Sequence, residues 1–94
     1  MSDLLNKRFK ADGSLIRSEE ADGCLLYNPV NGEIRALNET GAHLFSLLLN
    51  GGTGLELVES LLAEFEGVER ADAEADVSEF LKAALHFGLI CESQ

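Results

Sequence analysis

The hydrophobic rhythm of this chain changes once, at Leu37-Asn38, and that change limits the folds open to it more than any other feature. Before it, apolar residues come in short β-compatible runs. Leu15-Ile16-Arg17-Ser18 and Cys24-Leu25-Leu26-Tyr27 are separated by Glu19 to Gly23. Asn28-Pro29-Val30-Asn31-Gly32 follows, dense in turn formers, and Asn-Gly is a strong hairpin signal because both residues tolerate positive φ. Glu33-Ile34-Arg35-Ala36-Leu37 alternates imperfectly and is expected to pair back, completing an antiparallel meander of three short strands.

After Leu37 the period becomes helical. Asn38 reads as the N-cap of a helix over 39–49 that Asn50-Gly51-Gly52 stops. Thr53 and Glu56 have the spacing of a capping box, in which each side chain satisfies the other's free backbone N–H. Leu55, Val58, Leu61, Leu62 and Phe65 then share one face of a second helix, ended by Gly67. A third helix is expected from Asp72 to Phe87, with Gly88 just past its end. Asp72, Glu74 and Asp76 lie near its positive pole and Lys82 and His86 near its negative one, the order the helix dipole favours. The expected fold class is α+β, a three-stranded antiparallel β-meander followed by three α-helices. It forms one domain over 14–92, and 1–13, which lack such a pattern, are expected as a flexible N-terminal tail.

Charge excludes some functions. Of 94 residues, seven are Lys or Arg and seventeen Asp or Glu, for a net charge of −10. Residues 1–37 carry five basic and six acidic side chains, and 38–94 carry two and eleven, so the helical half holds −9 of the charge. Nucleic acid binding draws on neutralised phosphates, and this surface repels them. An anionic membrane surface is disfavoured for the same reason. Runs such as Leu47-Leu48-Leu49 fall far short of the ~20 apolar residues that span a bilayer. Leu4-Leu5 is followed at once by Asn6-Lys7-Arg8, so no signal-peptide core is expected. The expected location is the cytoplasm, with Cys24 and Cys91 as reduced thiols.

A catalytic constellation is not legible. His43 and His86 lack partners at catalytic or metal-ligand spacing and read as surface or half-buried residues. Cys24 and Cys91 are far apart without a Cys-x-x-Cys pattern, and a zinc site needs about four ligands. Cys24, in a strand, reads as a small core residue. Glu59, Glu64, Glu66 and Glu79 read as solvated helix faces. Gly51-Gly52-Thr53-Gly54 precedes a helix N-terminus but lacks the Lys of a phosphate-binding loop, and reads as a helix–helix connector. No catalytic residue, metal or cofactor is expected, and the chain is read as a binding domain rather than an enzyme.

The third helix carries the most information. At about 100° per residue, Phe87, Phe80, Ala84, Val77, Leu81 and Leu85 span an arc of roughly 160°, wider than the ~100° one packing partner needs. Either the helix packs on two neighbours, or its Phe80–Phe87 flank is left for a ligand.

Three helices with a small antiparallel sheet point to a winged helix-turn-helix type of architecture. Within it, Asp22-Gly23-Cys24-Leu25-Leu26-Tyr27-Asn28, Asn31-Gly32-Glu33 and Leu37-Asn38-Glu39-Thr40-Gly41 resemble the PqqD-like family. Asp76, Phe80-Leu81, Leu85 and the closing Gly88-Leu89-Ile90 continue the likeness, which covers about residues 15–90. Members are small proteins of coenzyme PQQ synthesis and of ribosomally made, modified peptide pathways. The resemblance implies a peptide-binding chaperone, a precursor-peptide recognition element. It binds a leader peptide and presents it to a modifying enzyme, of the radical S-adenosylmethionine type in the PQQ case.

In the family the peptide adds as a strand beside the third strand and lies against the third helix. Carried onto this chain, the peptide-binding residues are Glu33, Ile34, Arg35, Ala36 and Leu37 of the strand and Val77, Phe80, Leu81 and Ala84 of the helix. Phe80 and Ala84 are expected in the groove, with Val77 and Leu81 serving the core, the groove or both. Arg35 is a candidate partner for an acidic leader side chain, and the −9 surface for a basic leader or enzyme face. The alternative is an assembly subunit that dimerises through the same strand edge. A DNA-binding winged helix would need a basic recognition helix, whereas the third helix offers Lys82 among several acids.

Overall fold

The computed structural model describes residues 3–93. In chain order its elements are a 3₁₀ helix Asp3–Asn6, β1 Arg8–Ala11, β2 Ile16–Glu20, β3 Gly23–Tyr27, β4 Ile34–Asn38, α1 Glu39–Leu48, β5 Gly52–Thr53, α2 Gly54–Glu64, α3 Arg70–His86 and β6 Ile90–Ser93. The class is α+β, with the expected meander and three helices in place.

The meander is a sheet of order β2-β3-β4, antiparallel throughout. Its second turn is held by local side-chain bonds: Asn28 Oδ1 accepts from the Val30 N–H and Asn31 Oδ1 from the Glu33 N–H, each at 2.9 Å. Gly32 takes the left-handed φ of +78° that the turn requires. The first turn demands a glycine for another reason. Gly23 has φ +146°, and a Cβ there would lie 1.9 Å from the Leu37 carbonyl oxygen on β4.

Both sequence-legible caps form. Asn38 Oδ1 accepts from the Gly41 N–H at 2.8 Å, starting α1 directly from the end of β4. Thr53 Oγ1 accepts from the Glu56 N–H at 3.1 Å while Glu56 Oε1 accepts from the Thr53 N–H at 2.8 Å. Helix α3 begins at Arg70, two residues earlier than expected. There the guanidinium reaches Glu59 on α2 at 2.6 Å and Glu74, one turn on, at 3.2 Å.

A second antiparallel sheet of order β5-β1-β6 was not expected. It joins segments from three distant parts of the chain, with Arg8 opposite both Thr53 and Ser93 and Phe9 opposite Gly52 and Glu92. The expectation of a flexible tail over 1–13 is therefore corrected for residues 3–11, while Met1 and Ser2 lie outside the described residues. Phe9 is wholly buried, and Leu5 and Ala11 join the same core. The reading of Gly51–Gly54 as a plain connector is corrected too, since Gly52–Thr53 is a strand. Gly54 shows what the glycines are for: a Cβ there would lie 2.6 Å from Leu5 Cα, so the 3₁₀ helix rests directly on the start of α2.

The core draws on both sheets and all three helices. Phe9, Leu26, Leu44, Leu48, Leu57, Leu61, Val77 and Leu81 are fully buried. Among the described residues no buried side chain is polar or charged, so burial is satisfied by apolar contact alone. No described helix is long and apolar enough to cross a membrane.

Candidate functional site

Strand β4 hydrogen-bonds to β3 on one side; along its other side no described strand pairs with it. Such an edge presents unpaired N–H and C=O groups, the template on which a further strand can form. Helix α3 runs beside this edge in the opposite direction, with Asp76 near the Asn38 end of β4 and Phe87 near the Arg35 end. Between helix and strand lies a groove of two adjoining depressions that share Ala36, Leu37, Phe80 and Ala83.

The larger depression, of ≈ 350 Å³, is reached from the C-terminal end of β4, where Asn38, Thr40 and Gly41 face Asp76 and Glu79. The smaller, of ≈ 130 Å³, is apolar at its base, with Ala84 and Leu89 beneath and Phe87 as its wall. Arg35 closes that end: its guanidinium lies 4.1 Å from the Phe87 ring centroid and donates from Nη2 to Glu33 Oε2 at 2.9 Å. Phe87 is nonetheless 45% exposed, so the wall faces solvent as well as the groove.

The site residues expected from the sequence separate. Ile34, Arg35, Ala36 and Leu37 lie on β4 as anticipated, and Glu33 immediately precedes it. Phe80 is half-buried and lines both depressions, and Ala84 lines the smaller one. Val77 and Leu81 do not line the groove. Both are wholly buried, so they belong to the core, and their inclusion among peptide-contacting residues is corrected. The wide apolar arc of α3 thus has two uses: Ala73, Val77, Leu81 and Ala84 form the buried stripe, and the Phe80–Phe87 flank borders the groove.

Ala83, Asp76 and Glu79 were missed. The signal was present, because residues 76, 80, 83 and 87 fall on one helical stripe, and Phe80 and Phe87 already marked it.

Elsewhere the side chains serve the fold. His43 Nε2 lies 2.8 Å from Ser60 Oγ and its ring meets Phe65 edge-on at 5.6 Å, tying α1 to α2. Arg17 bridges Glu19 and Ser46 Oγ, fastening β2 to α1. Cys24 is buried and Cys91 exposed, and neither is in a disulfide. Burial pushes the Cys24 thiol above its ordinary pKa, with Arg17 opposing, so it stays protonated at neutral pH. No group of three or more His, Cys, Asp or Glu placed to hold a metal occurs among the described residues.

Comparison with known proteins gives results of the same character. The family model for coenzyme PQQ synthesis protein D (PqqD) matches residues 23–90, from the start of β3 into β6. Among solved structures, TbiB1 in complex with the TbiA(beta) leader peptide is similar at 27% identity and TM-score 0.73, covering 86% of this chain and 93% of that one. Lasso peptide synthetase B1 complexed with the leader peptide is similar at 28% identity and TM-score 0.73, covering 88% of this chain and 96% of that one. No curated protein matches.

Proposed function

The chain belongs to the PqqD family, and from that premise we propose that it binds the leader segment of a ribosomally made precursor peptide and presents it to a modifying enzyme. The observation that carries this reading is the unpaired edge of β4 facing α3 across a groove. A peptide adding there gains main-chain hydrogen bonds, and its alternate side chains reach the groove, which supplies selectivity. The two similar structures, each holding a leader peptide, support it. On this reading the chain is a binding partner, and the chemistry, of radical S-adenosylmethionine type in PQQ synthesis, belongs to the enzyme it serves.

The finer expectations belong to the same proposal. The peptide-binding unit is residues 14–92, completed by β1. The contacting residues are Glu33, Ile34, Arg35, Ala36 and Leu37 with Phe80 and Ala84. The winged-helix description rests on three helices joined to a small antiparallel sheet. The cytoplasm, where Cys24 and Cys91 stay reduced, is its compartment.

An NMR titration of the labelled full chain with leader peptides, including the PQQ precursor's, tests the function. Shifts should concentrate at 33–38 and along the 76–87 face of α3. Ala83→Gln should abolish them without unfolding the protein, since Ala83 is exposed and its longer side chain would fill the groove. Absence of shifts at β4 for every leader, with a mass that doubles as concentration rises, would instead establish dimerisation through this edge.

A further inference from the structure

The charges bordering the groove are not equivalent. Arg35 is already committed: it pairs with Glu33 and stacks on Phe87, so it forms the wall of the smaller depression rather than a free cationic contact. At the other end Asp76 and Glu79 line the larger depression, and neither forms an ion pair among the described residues. The end of β2 and the turn after it add Glu20 and Asp22, which border a further depression reaching Ala36–Asn38. One end of the groove is therefore apolar and electrically closed, and the other is open and acidic.

We infer, on the strand-addition reading above, that the groove selects a peptide with Lys or Arg at one position and a large apolar side chain two positions later. The spacing follows from strand geometry: alternate residues point to the same face, ~6.6 Å apart, which suits adjoining depressions that share four residues. The smaller depression, ≈ 130 Å³, is about four times the ~30 Å³ share of a water molecule, the size of a four-carbon side chain such as Leu. Every described strand pair in this protein is antiparallel, the better-bonded arrangement. An antiparallel peptide enters at the Asn38 end of β4 and leaves at the Arg35 end. Its basic residue, beside Asp76 and Glu79, therefore precedes its apolar one. An acidic residue at the same position would meet unpaired carboxylates in a depression that no Lys or Arg lines.

Fluorescence anisotropy on the full chain tests this with four labelled nine-residue peptides in one Ser/Thr frame. They carry Lys-Thr-Leu, Leu-Thr-Lys, Glu-Thr-Leu or Lys-Thr-Ala at the centre. Lys-Thr-Leu should bind tightest, with Glu-Thr-Leu weaker by roughly fivefold to tenfold at low salt, because the swap both removes an exposed charge pair and adds a repulsion of similar size. In the Asp76→Asn, Glu79→Gln double variant the Lys and Glu peptides should bind within about twofold of each other while the loss in Lys-Thr-Ala persists. Equal binding of the Lys and Glu peptides to the unaltered protein, abolished by Ala83→Gln, would overturn the charge selection and leave strand addition standing. Tighter binding of Leu-Thr-Lys would overturn the antiparallel order. Failure of all four peptides and of the leader titration would remove the binding reading together with this inference.

Discussion

The two sheets of this protein are alike in size and direction and opposite in use. The β2-β3-β4 sheet is a local meander whose strands follow one another within 23 residues, and it leaves the β4 edge open beside α3. The β5-β1-β6 sheet gathers residues 8–11, 52–53 and 90–93, and buries Phe9 and Ile90 in the common core. Each packs against helices. The first is kept in place by α1, through the Asn38 cap and the Arg17–Ser46 contact, and the second by the 3₁₀ helix and α2. The difference teaches that both sheets feed the core, through Cys24 and Leu26 in one and Phe9 and Ile90 in the other, while the meander also keeps its β4 edge unpaired without loosening that core.

The sharpest way to break this comparison is at Phe9. Replacing it by Ala should cost about 3–5 kcal/mol in urea unfolding, the scale of a buried aromatic, and a cost under about 1 kcal/mol would return β1 to the status of a tail. In the meander the largest effect is expected at Gly23. Gly23→Ala should cost about 1–3 kcal/mol and weaken peptide binding as well, because the added Cβ pushes β3 and β4 apart. Ala83→Gln separates the two uses in the other direction. Binding should fall at least about tenfold while stability stays within about 0.5 kcal/mol, and a matching loss of stability would mean that groove and core are not independent.

Smaller effects sharpen the picture at β5. Thr53→Ala should cost about 1 kcal/mol by removing the α2 cap, read from the urea midpoint. Glu56, reached first by the Thr53 backbone N–H and then by its hydroxyl, has its carboxyl held below the ordinary pKa. The folded state therefore binds this proton less readily than the unfolded chain does. Its contribution is present above the unfolded carboxylate pKa and is lost as pH falls through the lowered folded value. A thermal melt series should show Glu56→Gln slightly less stable than the parent near neutrality, with the gap closing as pH falls through the carboxylate range.

Much of the meander was legible because its signals are local. Asn31-Gly32 and the flanking apolar runs lie within a few residues of the contacts they specify, as do Asn38 with Gly41 and Thr53 with Glu56. The PqqD-like resemblance had its most specific element there, in Leu37–Gly41, and continued through α3 to Gly88-Leu89-Ile90. The second sheet left no comparable trace. Arg8–Ala11 is a four-residue strand whose partners lie more than forty residues away, and nothing in Arg-Phe-Lys-Ala distinguishes it from a tail.

At the site, periodicity placed Phe80, Ala84, Val77 and Leu81 on one apolar arc but could not divide it. The division depends on where α2, the 3₁₀ helix and β4 stand around α3, and only packing specifies that. The sequence by itself determined the class, the order of the meander strands and the three helices, the caps and the acidic balance, because propensity, capping and turn chemistry act over a few residues. The tertiary structure alone decided that β1 is part of the core, that Val77 and Leu81 are buried, and that Arg35 is occupied while Asp76 and Glu79 form no ion pair among the described residues. Those are contacts between segments far apart in the chain, and their geometry exists only once the core has closed.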